Sequence, residues 1–98
     1  MDTALRSLVS LLDRCQRDTL EVLGVGAAGR LANWQRYADD RDRLVRFIRE
    51  RLLVSRQNGY KLEQNGKLSL ERIVAHHHPG LFTSEDIEVA RATLEGKV

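Results

Sequence analysis

Residues 20–31 read LEVLGVGAAGRL, and Gly24, Gly26 and Gly29 stand there in the order G-x-G-x-x-G. That spacing lets a backbone approach a pyrophosphate, but only when it follows a strand and opens a helix inside a parallel sheet. The flanks therefore decide its meaning. Upstream, TALRSLVSLLDRCQRDTLEVL carries apolar residues at 5, 8, 12 and 15, with 4, 11, 20 and 23 beside them, which is the stripe of a helix. Asp2 or Thr3 is placed to cap it, and Gly24 follows its last periodic residue, where a left-handed C-cap is expected. Downstream, GRLANWQRYADDRDRLVRFIRERLLV is again helical in pattern, with Trp34, Tyr37, Ala38, Leu44, Val45, Ile48 and Leu52 on one side of the wheel. No strand precedes or follows the glycines. The segment reads as a turn between two helices, and the dinucleotide motif as a decoy.

The second helical pattern is expected to break at Ala38-Asp39-Asp40-Arg41, because either aspartate can cap a new start and Arg41 would otherwise project from the apolar stripe. Two Asn-Gly pairs follow, at 58–59 and 65–66. The first reads as a helix C-cap and exit. The second, between YKLE and KLS, suits a type I′ turn and predicts a small β element near Tyr60–Leu68. Ser69 then caps LERIVAHHH, which Pro79-Gly80 ends. Thr83 or Ser84 is placed to cap a last helix, Thr83 with Asp86 resembling a capping box; its expected inner face is Ile87, Ala90 and Leu94, and Gly96 is expected to stop it.

The 98 residues suit one domain, with a helical-hairpin portion over 1–40 and a winged-helix-like portion over 41–98. The fold class expected is mainly α. No apolar run approaches the ~20 residues that cross a bilayer, so no membrane partner is expected. The opening MDTALRS has an acid at position 2 and no basic region, unlike a signal peptide. One cysteine, Cys15, cannot form an intramolecular disulfide, and with these features it predicts a cytoplasmic or nuclear protein in a reducing compartment.

The net charge of +2 hides an asymmetry. Residues 41–67 hold eight basic side chains against three acids, while the flanking segments are slightly acidic.

The second half also resembles something more particular. LVRFIRERLL…GYKLEQNGKLSLERIV…TSEDIEVA is similar to the N-terminal winged-helix lobe of the RNA 2′-phosphotransferase family, through Leu44, Phe47, Leu62, Gly66, Leu68, Leu70, Ile73, Thr83, Asp86 and Ile87. The resemblance spans residues 42–98 and implies a winged-helix topology. It does not imply the activity: the family's Arg-His pair is missing from RERLLVSRQNG, and the lobe that holds its nicotinamide cofactor has no counterpart here.

Chemistry-bearing clusters are few. His76-His77-His78 lie about 100° apart on a helix and cannot converge on one metal ion. Asp39-Asp40-Arg41-Asp42-Arg43 has no nucleophile or oxyanion hole beside it and reads as caps and surface ion pairs. No catalytic residue, cofactor or metal is expected. The functional expectation is a non-enzymatic binding module that uses a helical bundle for protein–protein interaction or oligomerisation, with Trp34, Tyr37 and Phe47 as interface candidates. The alternative is a DNA- or RNA-binding module using the basic segment, with Arg43, Arg46, Arg49, Arg56, Lys61 and Lys67 as candidates.

Overall fold

The computed structural model describes residues 2–52 and 56–97. Helix α1 runs Thr3–Leu23, and Asp2 caps it, its Oδ1 accepting from the Leu5 N–H at 3.0 Å. Leu8, Leu12, Cys15 and Thr19 form its buried edge, the seam its apolar periodicity demands. Asp18-Thr19 does not interrupt it. The Thr19 hydroxyl donates back to the Cys15 carbonyl at 2.7 Å, inside the helix.

One residue makes the turn that follows. Gly24 has φ +91° and ψ −176°, an extended positive-φ conformation open in practice to glycine alone. It is not the left-handed helical cap expected there. Its N–H closes α1 on the Leu20 carbonyl, and its own carbonyl accepts from Ala28 to open α2, Val25–Leu31. Gly26 and Gly29 therefore lie within α2, and no strand is present among the described residues. The chain tightens into a 3₁₀ turn over Ala32–Tyr37 and breaks, as its aspartates require. Asp40 accepts from the N–H groups of Asp42 and Arg43 and starts α3, Arg41–Phe47, which continues as a π-helical turn over Ile48–Leu52.

The expected β element is not there. Helix α4, Arg56–Gln64, takes in Asn58-Gly59 and reaches past Tyr60. The second Asn-Gly ends this helix instead of turning a hairpin: Gly66 takes φ +68°, and the N–H groups of Gly66 and Lys67 return to the carbonyls of Glu63 and Leu62. An Asn-Gly pair supplies the positive φ that both a type I′ turn and a helix stop use, so the dipeptide alone does not distinguish them. A winged helix without its hairpin has no wing.

Ser69 caps α5, Leu70–Arg72, which widens into a π-helical turn over Ile73–His77. A 3₁₀ turn at Pro79–Leu81 leads to α6, Ser84–Leu94, opened by the reciprocal capping box of Thr83 and Asp86.

Both halves of the chain build a single core, in which Leu8, Leu12 and Trp34 meet Leu44, Ile48, Ile73, Val74 and Ala90. Ile87 and Leu94 pack against it from α6. Three polar ties fix the elements around that core. The Trp34 indole N–H donates to Gln16 Oε1 at 2.9 Å, the Leu68 N–H donates to Asp18 Oδ2 at 2.8 Å, and Arg49 Nε meets Asp86 Oδ2 at 2.7 Å.

Candidate functional site

The Asp40 cap sets the phase of α3 and so decides where its arginines point. Leu44 and Ile48 go fully into the core. Arg43 and Arg46, three apart, fall on one exposed face, as the helical repeat dictates. Phe47 at the helix end stacks on Tyr37 from the preceding 3₁₀ turn, with ring centroids 4.9 Å apart and planes inclined by 30°. The Arg43 guanidinium carbon lies 5.4 Å from the Tyr37 centroid, over the ring, within cation–π range. Together with Arg46 and Glu50 these residues line a groove of about 150 Å³.

Two of the six candidate cations and two of the three candidate aromatics thus converge at one place. Among the described residues, neither Arg43 nor Arg46 has a carboxylate within ion-pair distance. Glu50 lines the same groove without reaching Arg46, although their spacing of four would allow it. Glu50 is not among the candidates, being one of the three acids in the basic segment.

The remaining candidates go elsewhere. Arg49 is held by Asp86, whose carboxyl stays below the usual carboxylate range through the Thr83 N–H, the Arg49 guanidinium and the Thr83 hydroxyl, against an opposing push from burial. Lys67 Nζ meets Glu21 at 3.1 Å, across the gap between α1 and the α4–α5 turn. Lys61 is exposed on α4. The side chain of Arg56 lies outside the described residues. Trp34 is 5% exposed and belongs to the core, so it is unavailable as a surface anchor. A tryptophan whose N–H finds a partner inside the fold gives no sign of that in a helical wheel.

The histidine run divides between one internal contact and the surface. His78 Nε2 lies 2.9 Å from the Ser7 hydroxyl, and burial, then neighbouring His77, holds its pKa below the ordinary imidazole value. His76 and His77 are exposed. Among the described residues no group of three His, Cys, Asp or Glu side chains could hold a metal ion, and no helix is long and apolar enough to cross a membrane. Cys15 is 1% exposed, and burial pushes its thiol up to about 12.

Among the described residues, Glu71 is a buried carboxyl with no ion-pair partner. Glu71, in the first turn of α5, is 4% exposed, and burial raises its carboxyl to about 7 against the partial relief of its own backbone N–H. Gly59 of α4 leaves room for it, since a Cβ built there would collide with the Glu71 carboxyl group. In the sequence Glu71 is an ordinary acid in a helix first turn, so its burial carries no local signal.

Comparison of the chain with protein-family models, with curated proteins and with solved structures finds no match.

Proposed function

We propose that this chain is a non-enzymatic binding module that docks an acidic segment of a partner protein in the Tyr37–Phe47 groove. The observation that carries the reading is that Arg43, over the ring of Tyr37 in a stacked aromatic pair, and Arg46, lining the same groove, have no carboxylate partner among the described residues. Tyrosine and arginine dominate the energetic centres of protein interfaces, since both offer large contact area and directional polar groups. The cation–π contact orients Arg43 before any partner arrives, which lowers the entropy lost on binding. Carboxylates of the partner would supply the missing counter-charges, and an apolar side chain between them would cover the rings. A single, buried thiol supports placing the module in a reducing intracellular compartment.

A second reading rests on the same stacked rings, because an aromatic platform beside arginines also suits a single-stranded nucleic acid. It makes no use of a wing, and the acidic start of α6 argues against that helix as a duplex reader. The resemblance to the phosphotransferase lobe adds no catalytic group to either reading. With Arg49 held by Asp86, the candidate cations lining this groove are Arg43 and Arg46, so any such binding there would have a shallow salt slope.

The test is a panel of acidic peptides, each bearing one central Leu or Phe, titrated by fluorescence anisotropy in parallel with oligo-U and random duplex DNA. Peptide binding that weakens about tenfold or more in Arg43→Ala and in Arg46→Ala supports the protein-docking reading. Binding of the nucleic acids alone would replace it with the second. Light scattering showing a dimer that Arg46→Glu dissociates would make the occupant a second copy and overturn the assignment to a foreign segment.

A further inference from the structure

A second cleft, of about 270 Å³, lies where the end of α4 and the start of α5 meet α1. It is lined by Arg14, Glu63, Lys67, Arg72 and His77 and by the turn at Gly66. These residues come from α1 and from the stretch that runs from the end of α4 through α5, brought together by identifiable contacts. Asp18 takes the Leu68 N–H and clamps the turn to α1 one helical turn from Arg14. Ser69 caps α5 by accepting the Arg72 N–H at 3.1 Å and so sets where Arg72 emerges. Glu63 then grips the Arg72 guanidinium through Nε and Nη2, which fixes its plane and holds the Glu63 carboxyl below the usual carboxylate range.

The donors in this cleft are only partly used. Arg14 Nε stands 3.9 Å from Asp18 Oδ2, beyond hydrogen-bond length, and that oxygen already accepts from Leu68. Lys67 spends one donor on Glu21, a carboxylate that is 63% exposed and therefore bound weakly. Three cations and one carboxylate, Glu63, line the cleft, with Asp18 and Glu21 paired to Arg14 and Lys67. A phosphate monoester carries about −1.5 to −2 at neutral pH and offers strong acceptor oxygens. At about 30 Å³ per water, the cleft has room for several times the bulk of a small ion.

We propose that this cleft binds the phosphate monoester of a small molecule, its oxygens taken by Arg14, Lys67 and the free edge of Arg72. Asp18 and Glu21 are the countercharges the ester must compete with. No residue is shared with the Tyr37–Phe47 groove, so each site can fail without the other.

Amide NMR titrations of the full chain with glycerol phosphate and with inorganic phosphate, ionic strength held constant with chloride, test the proposal. Saturable shifts at Gly66, Lys67, Leu68 and Arg72, stronger for the ester, are expected. Arg14→Gln and Lys67→Gln should each weaken binding about tenfold, the loss of a charge-assisted contact, while Arg43→Gln leaves it unchanged. Both substitutions are at partly or largely exposed side chains, and retained amide dispersion verifies the fold. Shifts that never saturate, that chloride alone reproduces, or that survive both substitutions would overturn the site. Inorganic phosphate binding as tightly as the ester would overturn the assignment to an ester.

Discussion

Glu71→Gln should flatten the pH dependence of this protein's stability. The carboxyl is 4% exposed, wedged against Gly59, and its pKa rises from an ordinary 4.5 to about 7 because burial penalises the charged form. An acid with a raised folded-state pKa contributes stability that is complete below its unfolded pKa. That contribution falls as pH rises, because the unfolded chain ionises first, and it is gone once the folded pKa is passed. At about 1.4 kcal/mol per pH unit, the rise from 4.5 to about 7 amounts to about 3 kcal/mol. That is a large share of the 5–15 kcal/mol or so that holds a domain of this size together. Glutamine keeps the shape and cannot ionise. Urea unfolding followed by circular dichroism between about pH 5 and pH 8 should therefore show the wild type losing most of this energy relative to the variant as pH rises. His78 contributes with the opposite sign: burial and then His77 lower its pKa, which makes stability fall as pH drops. It is common to both proteins and cancels in their difference. An unpartnered amide could lower the variant's whole curve by about 1–3 kcal/mol without giving it a slope, so the slope is the diagnostic quantity. Parallel curves for the two proteins would refute the reasoning.

The three glycines that imitate a phosphate loop should separate on substitution. Gly24→Ala must enter a glycine-only conformation and should cost about 1–3 kcal/mol, whereas Gly26→Ala and Gly29→Ala, helical and with open space at the Cβ, should be neutral or stabilising by up to about 1 kcal/mol; equal losses at all three in thermal melts would contradict the helix–turn–helix account. Cys15 should resist an aromatic disulfide reagent at about pH 8 in the folded protein and react fully in urea, because its thiol is buried and its pKa is pushed up to about 12. Rapid labelling of the native chain would mean the α1 seam opens readily.

What the chain's own letters determined was local. The α1 stripe, the Asp2, Asp40, Ser69 and Thr83 caps, and the stop at Gly24 depend on residues within a turn or two of one another, so their spacing was sufficient. The same letters placed Arg43, Arg46, Tyr37 and Phe47 among the candidates. They could not say that these four share a groove while Arg49 pairs with Asp86 and Lys67 with Glu21, because ion pairs between distant segments follow no sequence period.

Tertiary structure alone decided the rest. Tyr60 and Leu62 alternate like a strand, yet that stretch is helical, with Gly59 set against Glu71 and Leu62 buried while Tyr60 stays exposed. Backbone preference at an Asn-Gly pair is nearly balanced between a hairpin and a helix end, so packing from α1, α5 and α6 settles it. Trp34 went to the core for the same kind of reason: Gln16 on α1 stands where it can take the indole N–H. The burial of Glu71, and with it the chain's response to pH, exists only because elements far apart in sequence close over one carboxyl group.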